Sequence, residues 1–477
     1  MKYYLMVLGC QMNLSDSERV KSVIEAMGFT PTENEAEASL LGVLSCSVRQ
    51  KPIDKVYNKI YVWNRQKNHR NIITFVSGCV LPNDREKFLK LFDFVFPMSE
   101  LNDFPNMLKN YGIVTPLSLN HSNSQLLEGG NKMIFPLPST TGETPFKPIK
   151  KLNQNPDKPI LPVNQDIFGL WNVKPSYQSS FEAFVPIQNG GDKFCSFCAV
   201  PYTRGREISR PSTDILDEIK SLMAEGYKTI TLLGQNVNSY GLDREGELSF
   251  AQLLQQIGEL GNQLQNPCWV YFTSPHPRDM SRDVIETIAT YQVLAKQIHL
   301  PLQSGDDQVL IKMNRKHNLD RYRESVGQIR ELIPQATLFT DIIVGFTGET
   351  EEQFQNTLKS FEEFQFNMAY IAMYSPRPGA QSYRWDDDIP PATKKDRLHN
   401  LSETLETISF NYNQKLIGSQ VKVLVKDKER KTGFLSGYTE GKIVTRIKSK
   451  DVSLIGKFVV LQVTEASGFS IAGELVL

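Results

Sequence analysis

The sequence Gly191-Asp192-Lys193-Phe194-Cys195-Ser196-Phe197-Cys198 carries the last two cysteines of a C-x3-C-x2-C pattern, with glycine at the position of the first cysteine. A Cys-x-x-Cys pair on its own is compatible with half of a zinc site, a redox-active pair or two ligands of an iron–sulfur cluster. Cys195 and Cys198 do not choose between these interpretations by themselves. The residues on either side of the pair are needed to distinguish these three interpretations.

Three more cysteines lie upstream, each directly after a predicted strand. Short apolar runs predict strands at 3–8, 39–44 and 72–76, and helical patterns near 17–27 and 52–66 alternate with them. This alternation predicts a Rossmann-like α/β domain with a parallel sheet, at whose carboxyl edge Cys10, Cys46 and Cys79 would meet. Each could be an ordinary buried cysteine, but three at equivalent strand ends favour a shared site.

Bulk composition narrows the class of protein. The chain has 477 residues, with 53 Lys plus Arg against 53 Asp plus Glu, so the overall charge gives no evidence for a nucleic-acid partner. Six cysteines in a chain of this length do not make a disulfide scaffold. The sequence contains no run of 18 apolar residues, so it predicts no membrane span. We therefore expect a soluble, cytoplasmic protein of several domains that makes no use of a membrane.

The pattern of the chain predicts four parts. Residues 1–118 form the N-terminal domain, and 119–180 read as a linker rich in Pro, Asn and Ser. Residues 181–412 alternate strand and helix six times, which predicts a partial (βα)6 TIM-like barrel. Residues 413–477 predict a small β-barrel. From Lys415 onward there are eleven Lys or Arg against six Asp or Glu, a local excess that fits contact with phosphates.

The segments that follow the predicted barrel strands resemble the radical-SAM methylthiotransferases. The resemblance covers nearly the whole chain outside the linker. The matching segments are Val185–Gly190, Lys193–Arg210, Leu233–Tyr240, Ser274–Pro277, Leu300–Gly305, Asp341–Phe346 and Tyr374–Gly379. Taken singly, most of them could be turn glycines, a core histidine or surface charges. In order along one chain they identify the family.

The resemblance implies two [4Fe-4S] clusters and S-adenosylmethionine. In the family, one cluster cleaves S-adenosylmethionine to a radical that abstracts hydrogen from an inert C–H bond. The motifs that match this radical-SAM cluster contain Cys195 and Cys198. The motifs that match the second, auxiliary cluster contain Cys10, Cys46 and Cys79, and this cluster carries the sulfur that is inserted. The positions assigned to S-adenosylmethionine are Phe197, Gln235, Asn236, Gln303, Asp341 and Gly345.

The resemblance also indicates a substrate. Cys10-Gln11-Met12-Asn13 is similar to the branch that methylthiolates tRNA at N6-isopentenyl-adenosine beside the anticodon, whereas the branch acting on a ribosomal protein usually has Pro-Lys at residues 11 and 12. The C-terminal barrel resembles a TRAM domain, an RNA-binding module. The expected partners are the anticodon stem-loop and an electron donor such as flavodoxin or ferredoxin. The expected RNA contacts are Arg204, Arg206, Lys428, Arg430 and Lys431.

Gly191 departs from the family pattern, because glycine has no side chain that can bind iron. Asp192 is a harder donor than a thiolate and is displaced by one residue, so it is a poor substitute. Two alternatives to a tRNA methylthiotransferase therefore stay open. One is a catalytically impaired relative that binds iron–sulfur clusters and tRNA, and the other is a methylthiotransferase with a different substrate.

Overall fold

The computed structural model describes residues 1–47, 50–112, 167–264, 266–429 and 433–476. The chain divides into two compact units. The first comprises Met1–Gln178 and Ala199–Arg206, and the second comprises Ser179–Cys198 and Glu207–Leu477. The chain therefore leaves the second unit after Cys198 and returns to it at Glu207.

The first unit is built on a five-stranded parallel sheet, as the sequence predicts. Its strands are β1 (Lys2–Val7), β2 (Thr30–Pro31), β3 (Leu40–Cys46), β4 (Ile73–Cys79) and β5 (Phe94–Val95), in the order β2-β1-β3-β4-β5. The helices are α1 (Gln11–Ala26), α2 (Gln50–Gln66), α3 (Pro82–Phe88) and α4 (Phe104–Asn110). Every residue of β3 and β4 is buried, as expected for central strands covered on both faces.

Two further segments belong to the first unit. Within the predicted linker, the structure has a helix, α5 (Ile167–Asn172), whose Ile167, Leu170 and Trp171 are buried. The linker prediction misses this helix, because its apolar turn is too short for periodicity to identify. Residues 119–166 of the linker lie outside the described residues. The second segment contains α6 (Val200–Arg204), which follows the cysteine loop in sequence.

The second unit contains six parallel strands that alternate with helices, which confirms the predicted partial barrel. The strands are β6 (Glu182–Pro186), β9 (Thr229–Leu233), β10 (Trp269–Phe272), β11 (Gln297–His299), β12 (Thr337–Val344) and β13 (Met368–Met373). They form two sheets, β10-β9-β6 and β11-β12-β13. A short antiparallel pair, β7 (Gln188–Asn189) and β8 (Ile208–Ser209), flanks the cysteine loop in sequence.

The helices of this unit follow the barrel strands. They are α7 (Ser212–Ala224), α8 (Phe250–Leu264), α9 (Arg282–Thr290), α10 (Asp307–Lys312), α11 (Leu319–Leu332), α12 (Glu351–Phe364) and α13 (Pro391–Gln414). The last of them runs two residues past the boundary predicted at 412/413. Within the part of the chain that the structure describes, no helix is both long and apolar enough to cross a membrane.

The C-terminal strands close into the predicted small barrel. They are β14 (Gln420–Lys428), β15 (Phe434–Thr439), β16 (Val444–Lys448), β17 (Phe458–Ala466) and β18 (Ser470–Leu475), in the order β14-β15-β16-β18-β17. Leu424 and Tyr438 of this barrel share a core cluster with Trp269 and Tyr271 of β10. The small barrel is therefore packed against the larger one through buried aromatic side chains.

Candidate functional site

The three upstream cysteines lie at one edge of the parallel sheet. Cys46 and Cys79 are the last residues of β3 and β4 and are directly opposite in register, and both are buried. Cys10 is exposed and is the N-cap residue of α1, in the short loop that follows β1. Gly9 has φ of +114°, and a Cβ there would lie 2.5 Å from the Cβ of Cys46. The loop that carries Cys10 can thus pass directly against Cys46 because residue 9 is glycine.

Asn13 ties two of these loops together. Its side chain is fully buried, and its Nδ2 donates to the carbonyl oxygens of Leu8 at 2.7 Å and Ser45 at 2.8 Å. These carbonyls lie at the ends of β1 and β3, next to Cys10 and Cys46. The sequence comparison used Asn13 only as a marker of the tRNA branch, and its role as a brace was missed.

Arg204 lies among the same groups, although it was predicted to contact RNA. Its side chain is 5% exposed and pairs with Asp16 at 2.6 Å. Its Nε donates to Sγ of Cys79 at 2.9 Å, and its Nη2 donates to Oδ1 of Asn13 at 3.0 Å. A guanidinium so enclosed is not positioned to bind phosphates. Its placement here does not support the predicted RNA contact.

The donor set suits a cluster of thiolate-bound iron. Among the described residues, no group of three or more His, Cys, Asp or Glu is arranged to hold a single metal ion. Cysteine thiolates are the ligands that hold [4Fe-4S] clusters, and three cysteines converge at this sheet edge. Burial raises the pKa of Cys79 to about 12, and the nearby Arg204 opposes that shift. Since metal ligands bind deprotonated, a cation beside this sulfur favours the ligating form.

The loop from Gly190 to Cys198 is held by hydrogen bonds at several positions. Asp192 Oδ1 accepts from the backbone N–H of Glu207 at 3.2 Å, and the N–H of Cys198 donates to the carbonyl of Cys195 at 2.9 Å. The loop also bonds to the segment 312–314, through Asn314 Nδ2 to Phe194 O at 2.8 Å, Ser196 Oγ to Lys312 O at 2.9 Å and Ser196 N–H to Met313 O at 2.9 Å. These hydrogen bonds hold the loop at Asp192, Phe194, Ser196 and Cys198.

This loop fits a radical-SAM cluster only in part. Cys195 is buried and Cys198 half-buried, and Nη1 of Arg315 lies 3.5 Å from Sγ of Cys195. No thiolate is present at residue 191, and the Asp192 carboxylate is already a hydrogen-bond acceptor for Glu207. Two of the three expected thiolates are present, so we derive no chemical step through this cluster.

Three side chains contact Ser239 in the barrel, and each also carries a buried oxygen atom that has no hydrogen-bond partner in the part of the chain that the structure describes. Gln188 Nε2, Asn236 Nδ2 and a Glu207 carboxylate oxygen all contact Ser239 Oγ. The amide oxygens of Gln188 and Asn236 and the second carboxylate oxygen of Glu207 have no hydrogen bond among the described residues. Burial raises the pKa of Glu207. Unpaired buried acceptors are costly, so this part of the barrel suits a ligand that brings amino or hydroxyl donors.

Most of the predicted S-adenosylmethionine residues lie on loops after barrel strands, whereas Asp341 lies within β12, and their local contacts differ. Asn236 belongs to the group around Ser239, and Gln235 beside it is half-buried. Gln303 adopts φ of +76° and its N–H donates to Asp341 O at 2.8 Å. The Asp341 carboxylate lies 2.8 Å from Nε2 of His299.

Phe197 and Gly345 have clear structural roles. The Phe197 ring packs 6.4 Å from that of Phe346. Gly345 has φ of +67°, and a Cβ there would lie 2.4 Å from Cγ of Lys394. Close packing explains both residues without a ligand, and their assignment to S-adenosylmethionine stays a prediction.

The remaining RNA predictions fall on exposed positions or outside the described residues. Arg206 is exposed, as is Lys428 at the end of β14. Arg430 and Lys431 lie outside the described residues. Several other basic residues of the small barrel have acidic partners, which are Lys426 with Glu182, Arg446 with Glu429 and Lys448 with Glu474. Glu429 and Glu474 already belong to the six acidic residues of the count, so of these three pairs it is Lys426 with Glu182 that lowers the excess of positive charge available to an RNA.

Lys442 serves the packing of the small barrel against the larger one. Its Nζ lies 4.0 Å from the ring centre of Tyr271 and 3.9 Å from that of Tyr438. Burial lowers the pKa of Lys442 to about 7, with the Glu182 carboxylate opposing the shift. The Tyr438 hydroxyl donates to Glu182 at 2.7 Å. This lysine is an internal group and not part of an RNA-binding surface.

Three regions of the chain match known families. Residues 2–97 match Uncharacterized protein family UPF0004, residues 185–361 match the Radical SAM superfamily, and residues 414–476 match the TRAM domain. Among solved structures, a radical S-adenosylmethionine methyltransferase from Kitasatospora setae is 13% identical and covers 96% of this chain and 83% of its own, with a TM-score of 0.48.

Curated relatives match over almost the full length. The tRNA-2-methylthio-N(6)-dimethylallyladenosine synthase of Geotalea uraniireducens is 34% identical and covers 99% of this chain and 98% of its own. The synthase of the same name from Clostridium botulinum (strain Okra / Type B1) is 35% identical with 99% and 96% coverage. That of Dictyoglomus thermophilum is 33% identical with 100% and 98% coverage. The chain belongs to the family of radical-SAM tRNA-2-methylthio-N6-dimethylallyladenosine synthases.

Proposed function

We propose that this protein transfers a methylthio group to C2 of N6-isopentenyl-adenosine beside the anticodon of tRNA. The observation that carries the proposal is the similarity of 99% of the chain to synthases of that name. The TRAM match at residues 414–476 supports an RNA substrate. Because the substrate is tRNA, we place the protein in the cytoplasm.

Membership of the Radical SAM superfamily implies S-adenosylmethionine and a [4Fe-4S] cluster as cofactors. When bound, these groups supply the methyl group and the radical chemistry, and the protein supplies binding, orientation and shielding. We propose a second [4Fe-4S] cluster on Cys10, Cys46 and Cys79, supported by their convergence at one sheet edge. A low-potential donor such as flavodoxin or ferredoxin would deliver electrons.

The residues of the barrel are proposed to bind and orient S-adenosylmethionine. The buried oxygens of Gln188, Asn236 and Glu207 that have no partner among the described residues are acceptors, which suits the amino group and ribose hydroxyls of that molecule. Phe197, Gln235, Gln303, Asp341 and Gly345 complete the proposed set. We propose that Lys428, Arg430 and Lys431 of the small barrel contact tRNA phosphates, and that Arg206 of the first unit does so as well.

The test is the tRNA of cells that depend on this gene alone. Cells lacking their own synthase would carry this gene or its Cys46→Ala variant, and digested tRNA would be examined by mass spectrometry. The 2-methylthio nucleoside should appear with the unaltered gene and be absent with the variant. An unmodified isopentenyl-adenosine peak from cells that express the folded, unaltered protein would exclude synthase activity.

Gly191 supports a second candidate, a relative that binds clusters and tRNA but performs little catalysis. With two thiolates at the radical-SAM site, a cluster should assemble poorly or lose iron. The two candidates differ in one measurement on purified, reconstituted and reduced protein. Release of 5′-deoxyadenosine from S-adenosylmethionine would exclude the impaired candidate, and its absence together with retained tRNA binding would favour it. A methylthiotransferase for another substrate would instead form 5′-deoxyadenosine yet leave this tRNA unmodified.

A further inference from the structure

Arg204 is a buried, positively charged residue of the first unit. It lies against Cys79, a predicted cluster ligand. It ends α6, in the segment Ala199–Arg206 that joins the first unit although its neighbours in sequence belong to the second. Only 7% of the residue is exposed. Burying a guanidinium is costly unless it is paired and hydrogen-bonded, so its contacts indicate what it is for.

The guanidinium of Arg204 donates hydrogen bonds to two kinds of acceptor, oxygen atoms and a sulfur atom. Nη2 is directed at two oxygens, at 2.6 Å from Asp16 Oδ2 and 3.0 Å from Asn13 Oδ1. Nε is directed at Sγ of Cys79 at 2.9 Å. Asp16 is itself 2% exposed, so the two buried charges fix each other, and Asn13 is anchored to the ends of β1 and β3. The N–H that faces the sulfur is therefore held in a fixed direction.

A neutral thiol gains little from such a donor, because its sulfur is a weak acceptor. A sulfur that carries negative charge gains much more, since hydrogen bonds to charged groups are about twice as strong as neutral ones. Hydrogen bonds to the ligand sulfurs and nearby charge are among the features that set the reduction potential of an iron–sulfur cluster. The geometry thus matches a sulfur bound to iron better than a free cysteine.

We propose that Arg204 is a positioning residue that donates to the Cys79 sulfur and tunes the cluster held by Cys10, Cys46 and Cys79, with Asp16 fixing its orientation. The inference rests on the second cluster named under the proposed function. A cation and an N–H donor beside the ligand sulfur stabilise the reduced, more negative cluster. Removal of Arg204 should therefore shift the midpoint potential of this cluster to a more negative value.

The experiment uses the full chain with Cys195 and Cys198 replaced by alanine, so that iron bound to cysteine reports on the N-terminal unit alone. Arg204→Gln removes the charge and Arg204→Lys keeps it. Lys55→Gln is the matched control, because it removes an exposed positive charge from α2 of the same unit. Each protein would be reconstituted anaerobically with iron and sulfide, then measured for iron content, the EPR spectrum of the reduced state and the midpoint potential.

We expect Arg204→Gln to shift the potential negatively and alter the EPR spectrum, Arg204→Lys to recover part of the shift, and Lys55→Gln to match the parent. Asp16→Asn should change the same spectrum, because it frees the guanidinium. If Arg204→Gln folds and binds iron but keeps the parental potential and spectrum, the inference is wrong. If Arg204→Gln fails to fold, Arg204→Lys and Asp16→Asn still decide it. If the parent binds no cluster at all, the second cluster is absent and the proposed function loses that support.

Discussion

Replacing Gly191 by cysteine is the sharpest test of the radical-SAM site. The substitution would restore the first ligand of the C-x3-C-x2-C pattern. The backbone permits it, because the positive φ of this bend falls on Gly190, at +78°, and not on Gly191. The rest of the loop is already fixed by its bonds to Glu207 and to the segment 312–314. A new thiolate at residue 191 would therefore join a loop whose neighbouring residues are already held by hydrogen bonds.

The expected increase in bound iron follows from the number of thiolate ligands in the loop. A [4Fe-4S] cluster contributes about four iron atoms per chain, and three thiolates are the usual minimum that holds one in such a loop. In a chain whose Cys10, Cys46 and Cys79 are alanine, the cysteine loop is the remaining cluster site. There we expect the unaltered loop to retain well under one cluster, and Gly191→Cys to approach about four iron atoms per chain.

Iron and sulfide would be counted after anaerobic reconstitution and desalting, and cleavage of S-adenosylmethionine would be followed as released 5′-deoxyadenosine. Gly191→Ser is the matched control, since it adds a side chain of similar size without a thiolate. An equal iron content in Gly191→Cys and Gly191→Ser would refute the assignment of residue 191 as a ligand position. A full cluster in the unaltered loop would refute the claim that two thiolates are insufficient.

Three other substitutions probe the scaffold, each measured by urea unfolding. Asn13→Ala leaves the carbonyls of Leu8 and Ser45 without their donor and should cost about 2 kcal/mol; an unchanged midpoint would contradict its role as a brace. Gly345→Ala places a Cβ 2.4 Å from a Lys394 carbon at φ of +67° and should cost about 1–3 kcal/mol, whereas Gly327→Ala, at an open site, should not. Burial lowers the pKa of Lys442 from 10.5 to about 7 in the folded state, so this lysine binds its proton more tightly in the unfolded state. Between pH 7 and pH 10.5 the free energy of unfolding should therefore rise with pH, by up to about 1.4 kcal/mol per pH unit. Lys442→Met should abolish that rise, and an identical pH dependence in both proteins would disprove it.

The convergence of Cys10, Cys46 and Cys79 could be predicted because it depends on topology alone. Residues that end neighbouring parallel strands share an edge whatever the side chains between them do. The bonds around Arg204 could not be predicted in the same way. They require the segment 199–206 to pack with the first unit, and no periodicity or spacing in the sequence indicates which unit a five-residue helix will join.

The predicted RNA surface shows a second limit of sequence patterns. A count of basic residues does not reveal which ones already have partners inside the fold. Lys442 lies between two tyrosine rings, and Lys426 pairs with Glu182 of the larger barrel. Charge excess predicts the type of partner correctly only when the charges are free to meet it, and here part of the excess serves the packing of one barrel on the other.

At Gly191 the fold of the cysteine loop is present without the full set of cluster ligands, although the two normally occur together in this family. The fold of the loop depends on backbone and side-chain hydrogen bonds that are all present without a third thiolate. The chemistry of the loop depends on a ligand set that is one thiolate short. Loss of the ligand therefore does not entail loss of the fold, of the cysteines at the edge of the N-terminal sheet or of the RNA-binding barrel. An active synthase and an impaired relative would share this structure, so iron content and reaction products must distinguish them.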